Sequence, residues 1–443
     1  MKRVVLVGSD FSPSSLPPAL RLRFFASHLP EFGWQPTVLT VDPRFYEAAI
    51  DPENARLLPD WLEVIRTGAI PQRVSRRAGV GDIGLRSLVH HALALDRLCR
   101  RGDVDLVFIP IPPNFPVLLG RLMYERHGVP YVVDYIDPWV DEYYARLPIQ
   151  ERPGGYKWRL SYALARILEP VALRHAAHLV GVSTSYTAPI IARYPWLTDA
   201  DHTGIPYGGE PGDVEYVRHH PRRNSIFDPD DGAVHISYVG RGGADMHPTL
   251  RAVFAAVRAG LDQHPALFRR LRLHFVGTTY DPHWDGTYDI LPLAREVGAE
   301  ELVSEHPRRV PYLDALQIMI DSHALLAVGS DQPHYTASKI FPFILAERPL
   351  LAVFHRDSTV VDVLSRTGAG DAVTFSDEGP GAHVSSIHDH LLRLLSLPAG
   401  TRPATCWDAF DQYTARSMSR RLAAVFDDAL RAAGPHVRAK GRV

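Results

Sequence analysis

The chain has 443 residues, 46% hydrophobic and 22% charged, with 48 basic against 50 acidic side chains and a formal net charge of -2. That length predicts two α/β domains rather than one core, and the charge balance excludes a global pull toward nucleic acid. The two cysteines, Cys99 and Cys406, exclude a disulfide framework and offer no metal-ligand spacing, so both are expected to be buried or inert.

Residues 4–7 form an apolar run too short for the core of a secretion signal, and they read as a first buried strand. No apolar stretch approaches the ~20 residues of a membrane span, so a cytoplasmic location is expected. Residues 20–29 carry apolar side chains at helical spacing, Gly33-Trp34 stops that helix, and 36–40 reads as a strand. Further strands are expected at 106–109, 131–134 and 179–182, closing a first Rossmann-like domain over residues 1–207. Glycines, prolines and charges mark 208–232 as a linker. Alternation then resumes with strands at 235–239, 271–276, 324–328 and 350–354 and a helix at 249–261, a second such domain over 233–405. After Pro403, Phe410, Met418, Leu422 and Phe426 recur at helical spacing and predict one long amphipathic helix over 406–433.

Two such domains would face each other across a cleft at the carboxyl ends of their strands, where ligands bind in open α/β folds. After the first strand comes Gly8-Ser9-Asp10-Phe11-Ser12-Pro13, which lacks the G-x-G-x-x-G of a dinucleotide site; no Walker A sequence occurs either. The richest stretch runs from Pro333 to Val353: a polar loop, a short helix and a strand. Thr336 or Ser338 can cap that helix and Pro342 is tolerated in its first turn, so its amino end and Lys339 would present positive charge to a diphosphate. The alternative is a capped core helix with a solvated lysine. Arg241, at the end of a strand and before a glycine pair, offers a guanidinium fork to phosphate, or is a surface arginine. Asp137 would orient an acceptor hydroxyl or steady positive charge, or simply shape a turn. Arg21 would neutralise phosphate or pair with a carboxylate. His334 and His247 are weaker candidates. Asp228-Pro229-Asp230-Asp231 has the look of a metal-binding D-x-D but reads as a turn, and no metal site is expected. Arg73, Arg76, Arg77 and Arg86 would touch anionic lipid or form a solvated face.

The 333–353 stretch resembles the donor-site element of family 4 GT-B glycosyltransferases, roughly S-K-x-x-E-Y-x-A-x-G-x-P, through Ser338, Lys339, Phe343, Ala346 and Pro349. It departs at Pro342, where the family has a glutamate on the ribose, and at Glu347, where it has glycine. Other stretches resemble the family in order. They are Pro13 and Arg21 with Gly33-Trp34 and Val38-Leu39-Thr40, then Asp134-Tyr135-Ile136-Asp137-Pro138-Trp139, Glu169 to Ser183 with His178 at the usual aspartate, Tyr238-Val239-Gly240-Arg241, and Leu273 to Gly277. The lysine expected about five residues after Arg241 is replaced by Met246 and His247.

The resemblance implies an α/β protein of the GT-B architecture, with two Rossmann-like parallel-sheet domains and a terminal helix returning to the first. It implies metal-independent, retaining transfer of a sugar from a nucleotide-diphosphate donor to the hydroxyl of a glycan or lipid-linked acceptor, with no cofactor and with peripheral membrane association in reach. Asp137, Arg241 and Lys339 would serve catalysis. Gly240, Arg241, Gly277, Ser338, Lys339 and Phe343 would hold the donor, and Ser9, Pro13, Arg21 and Asp137 the acceptor. Two rival expectations are a sugar-nucleotide epimerase of the same fold and a non-catalytic GT-B-like partner protein.

Overall fold

The structure, a computed structural model, describes residues 1–47, 50–140, 142, 145, 148, 156–279, 284–330 and 337–434. The chain divides into two units: residues 1–207 with 415–443, and residues 208–414. In the first, seven parallel strands run in the order β3-β2-β1-β4-β5-β6-β7: β1 (Lys2–Val7), β2 (Trp34–Val41), β3 (Glu63–Thr67), β4 (Leu106–Ile111), β5 (Tyr131–Tyr135), β6 (His178–Gly181) and β7 (His202–Gly204). Side chains alternate across a strand, so β1 feeds two cores at once. Val5 and Val7 pack with Ile109, Val133 and Met123 on one face. Val4 and Leu6 pack with Phe108, Val132 and Phe25 on the other.

The second unit repeats the plan with six parallel strands in the order β10-β9-β8-β11-β12-β13. These are β8 (Val234–Val239), β9 (Leu271–Val276), β10 (Val303–His306), β11 (Ala324–Val328), β12 (Leu350–His355) and β13 (Asp371–Phe375). The helix His247–Gln263 buries Leu250, Val253, Phe254 and Val257 against this sheet.

Two sequence expectations need correction. The stretch 208–232 is not a bare linker, because Pro211–His219 is a helix of the second unit. Its proline sits in the first turn, where the missing N–H costs nothing, and the Glu210 carboxylate accepts from Gly212 N at 3.1 Å. Val214 and Val217 are buried, and Tyr312 Oη donates to Asp213 at 2.7 Å. Nor does one helix span 406–433. A short helix, Trp407–Asp411, ends in a turn where Thr414 Oγ1 bonds Asp411 O at 2.8 Å, and Ala415–Ala432 follows. The apolar period carries through the break, but its two parts serve different cores. Tyr413 packs its ring at a tilt against Phe341 and Phe410 in the second unit, whereas Met418, Leu422 and Phe426 enter the first. Phe426 sits edge-on to Trp34 and Phe108, with ring centroids 5.2 and 5.4 Å away.

Cys99 is buried and its thiol is pushed up to about 12 by burial, while Cys406 is exposed. Among the described residues no helix is long and apolar enough to cross a membrane.

Candidate active site

In the second unit the loops after β8, β9 and β11 meet at the carboxyl end of the sheet. Gly240 follows β8 with φ +148, and a Cβ there would come within 2.8 Å of Lys339 Nζ. The missing side chain is therefore what lets the lysine approach the strand end. Lys339 Nζ donates to Tyr238 Oη and lies 4.1 Å from the Tyr238 ring centroid; the same hydroxyl donates to Arg241 O. Burial, and then the neighbouring Arg241, pull the Lys339 ammonium down to about 7, with Asp245 opposing. Arg241 forks onto Asp245, Nη1–Oδ1 2.9 Å and Nη2–Oδ2 2.7 Å, and its side chain stays one-third exposed. Two cations and one carboxylate thus share this strand end.

Gly277, at φ +74, turns the chain after β9. Its loop is pinned by buried Glu305, which accepts from Thr278 Oγ1 at 2.8 Å and from the N–H groups of Ile290 and Leu291 at 2.9 Å each. Gly242 N in turn donates to Thr278 O at 2.8 Å, tying the Arg241 loop to the Gly277 loop.

In the first unit the loops after β1, β2 and β3 converge likewise. Asp10 is pushed up to about 6 by burial, then by Asp82 and Glu47. Asp82 is raised too, chiefly by burial, although its Oδ1 caps the helix Ile83–Arg100 through Leu85 N at 2.7 Å. Tyr46 Oη accepts from Phe11 N at 3.1 Å, and Arg66 donates to Ser12 O at 2.9 Å. The Ser9 and Ser12 hydroxyls are buried with no hydrogen-bond partner among the described residues. Pro13 is half-buried beside them, and Asp137 is exposed just past the carboxyl end of β5.

Residues 18–208 match the model of the family described as glycosyl transferase 4-like domain. The chain has the GT-B fold, and the matched stretch lies almost wholly within its first unit. No curated protein matches it. Among solved structures, Anabaena Alr3699/HepE, in complex with UDP and glucose, is similar at TM-score 0.60 and 12% identity, over 96% of this chain and 100% of that one. A UDP-forming trehalose-phosphate synthase from Burkholderia xenovorans is similar at 0.59 and 12%, over 96% and 99%. The lipopolysaccharide outer core galactosyltransferase WaaB follows at 0.52 and 12%, over 98% and 99%. At such identities the likeness is one of fold.

Within this GT-B chain several expected site residues move elsewhere. Arg21 is not on the acceptor side, for it is buried and forks onto Asp134 at 2.7 and 3.0 Å. Nη1 and Nη2 also donate to Pro206 O at 2.7 Å and Ile205 O at 2.8 Å, so all three nitrogens are engaged inside the protein. Phe343 is fully buried and packs inside the second unit instead of facing a donor. The expected capped helix is Ile340–Leu345, six residues with Lys339 at the cap position and no side-chain cap, so Ser338 does not play that part. Thr336 and His334 lie outside the described residues. Arg86 does not belong to a solvated basic face. It is buried on Glu47 at 2.7 Å and Ile70 O at 2.8 Å. The Asp228–Asp231 stretch is a turn, with Asp230 N on Asp228 Oδ1 at 3.1 Å.

Sequence reasoning missed Asp10, Asp82, Asp245 and Glu305. Asp10 stood in plain view in the loop after the first strand, the place where open α/β folds gather ligands. Asp245 lies four residues after Arg241, a spacing from which its carboxylate reaches the guanidinium.

Proposed function

We propose that this chain moves a glycosyl group from a nucleoside-diphosphate sugar to an acceptor hydroxyl, in the synthesis of a surface polysaccharide or glycoconjugate on the cytoplasmic side. The reading includes retention of configuration and independence of metal or cofactor. It rests chiefly on Arg241 and Lys339 sharing the carboxyl end of β8 with room made by Gly240. Glycosyl departure builds negative charge on the diphosphate, and preorganised cations in a partly desolvated pocket stabilise such charge far better than water does. A diphosphate would compete with Asp245 for the Arg241 fork. It would also draw a proton onto Lys339, completing the charge it needs. HepE, crystallised with UDP-glucose, is similar in fold and lends support. Ser9, Asp10 and Asp137 in the first unit supply hydrogen-bond partners for acceptor hydroxyls.

The Arg241–Asp245 fork and Pro342 favour one rival, a GT-B-like partner protein without transfer activity. Incubation with UDP-, GDP- and dTDP-sugars, following released nucleotide with and without glycan acceptors, separates the readings. Acceptor-dependent release is the expected result. Interconversion of the sugar without release would point to an epimerase, and no thermal stabilisation by any nucleotide would leave the partner protein standing.

A further inference from the structure

Tyr238 stands next to the last residue of β8, and its ring is buried in the core of the second unit beside Phe275, with ring centroids 5.7 Å apart. Packing alone would be met by phenylalanine, the residue at 254 and 275 in the same core. What tyrosine adds is one hydroxyl, and a buried hydroxyl costs free energy unless it is bonded. It has one proton to give. Arg241 O and Met246 Sδ, the latter at 3.3 Å, are both in reach, and the carbonyl is the stronger acceptor. With the proton on Arg241 O, the lone pairs are left for Lys339 Nζ, which donates to them from over the ring, 4.1 Å from its centroid. The chain of bonds therefore runs in one direction, from Lys339 Nζ through Tyr238 Oη to Arg241 O. Gly240 completes the arrangement, because a Cβ there would come within 2.8 Å of the same nitrogen and 2.9 Å of Lys339 Cε.

We propose that Tyr238 is a positioning residue of the donor site, its hydroxyl holding the Lys339 ammonium at the end of β8 and tying it to the loop of Arg241, a role that rests on the reading of Arg241 and Lys339 as diphosphate ligands. Burial disfavours a charged amine, and the phenolic oxygen offsets part of that by accepting from it. Among the charged neighbours, Arg241 opposes the ammonium and Asp245 favours it. Buried Glu305 on β10 is taken up by Thr278, Ile290 and Leu291. Removing the hydroxyl leaves the ring under the amine, the loop and both charges in place, and makes the ammonium harder to form. A diphosphate that needs the ammonium then binds more weakly where the free amine is neutral, and almost as well where it is already protonated. A residue that merely shaped the loop would weaken binding alike at every pH.

Calorimetric titration of the full chain with UDP, GDP and dTDP at about pH 5.5 and pH 8 tests it, each variant being compared with the wild type at the same pH so that titration of the ligand's own phosphate cancels. Tyr238→Phe should weaken binding roughly tenfold at the higher pH and less than about threefold at the lower, the loss expected for one hydrogen bond to a charged group. In the Lys339→Met background the same change should have no effect at either pH, because the hydroxyl then has no ammonium to hold. An equal loss at both pH values, a loss that persists beside Lys339→Met, or no loss at all would overturn the proposal. The chain has only four lysines, at positions 2, 157, 339 and 440, so ¹³Cε NMR of the lysine-labelled protein reads the same contact without any nucleotide. Its Lys339 midpoint should move to lower pH by about one pH unit in Tyr238→Phe. A wild-type midpoint near the ordinary lysine value would place Nζ in water and not on the tyrosine, and needs no variant to be seen. Unchanged nucleotide affinity in Lys339→Met would instead remove the diphosphate reading itself.

Discussion

Arg21 and Arg241 both stood out in the sequence, and the structure gives them opposite tasks. Arg21 is locked in the core of the first unit, every arm committed to Asp134 or to a backbone carbonyl of residues 205–206. Arg241 forks onto Asp245 at a strand end and keeps a third of its side chain open. A guanidinium whose three nitrogens all meet protein acceptors in the core is scaffold; one that keeps a solvated edge can trade a carboxylate for phosphate. Which of the two an arginine becomes depends on whether it faces the sheet or the loops at its end.

That contrast is sharpest under mutation. Arg21→Ala strands a fully buried Asp134 and should cost about 3–5 kcal/mol in chemical denaturation; a loss below about 1 kcal/mol would mean that Arg21 is not structural. Arg241→Ala should leave stability within about 1 kcal/mol. Losing charged hydrogen bonds worth about 1.5–3 kcal/mol should weaken nucleotide-diphosphate affinity ~10- to 150-fold. Unchanged affinity by calorimetry would remove Arg241 from the site.

Lys339 sharpens the comparison through pH. Its folded pKa, about 7, lies below its unfolded value, so the unfolded chain holds more protons between pH 7 and 10.5 and stability gains with rising pH across that window. A bound diphosphate reverses the preference by stabilising the ammonium. Binding at about pH 8 should therefore take up close to one proton, measured by calorimetry in buffers of different ionisation enthalpy, and affinity should fall as pH rises above 7. Lys339→Met should abolish the uptake; proton-neutral binding by the wild type would show that the lysine does not meet the ligand.

The smallest effect concerns Glu347, at φ +56 and paired with Arg218 at 2.7 Å and Arg402 at 3.0 Å. The family pattern has glycine here, and the left-handed backbone supplies the reason. Glu347→Ala keeps the strain and drops both pairs, so it should cost about 1 kcal/mol. Glu347→Gly drops the pairs but relieves about 1–2 kcal/mol of strain and should be near neutral. Equal thermal shifts for the two variants would contradict this account.

Legibility in the sequence followed the same division between sheet and loop. Every strand legible in the sequence is interior to its sheet: β1, β2, β4, β5 and β6 in one unit, and β8, β9, β11 and β12 in the other. The four that were missed, β3, β7, β10 and β13, are the edges. An interior strand of a parallel sheet is covered on both faces and becomes a continuous apolar run such as Leu-Val-Phe-Ile, whereas an edge strand such as Glu63–Thr67 is half solvated and mixed in composition. The candidate site was legible where backbone geometry demanded a residue type, as at Gly240 and Gly277. It was illegible where a side chain's role depended on its partner, as with Asp245 on Arg241 or Asp82 and Glu47 beside Asp10.

By composition and periodicity alone, this chain determined two parallel α/β sheets, their interior strands and the amphipathic terminal stripe, because each depends on burial that neighbours in sequence already encode. Tertiary structure alone decided that the stripe breaks at residues 412–414 to serve two cores, that Phe343 turns inward, and that Arg21 is consumed while Arg241 is not. Those outcomes rest on pairings between residues up to hundreds of positions apart, Arg21 with Asp134 and Trp34 with Phe426 among them, and no local pattern carries the identity of so distant a partner.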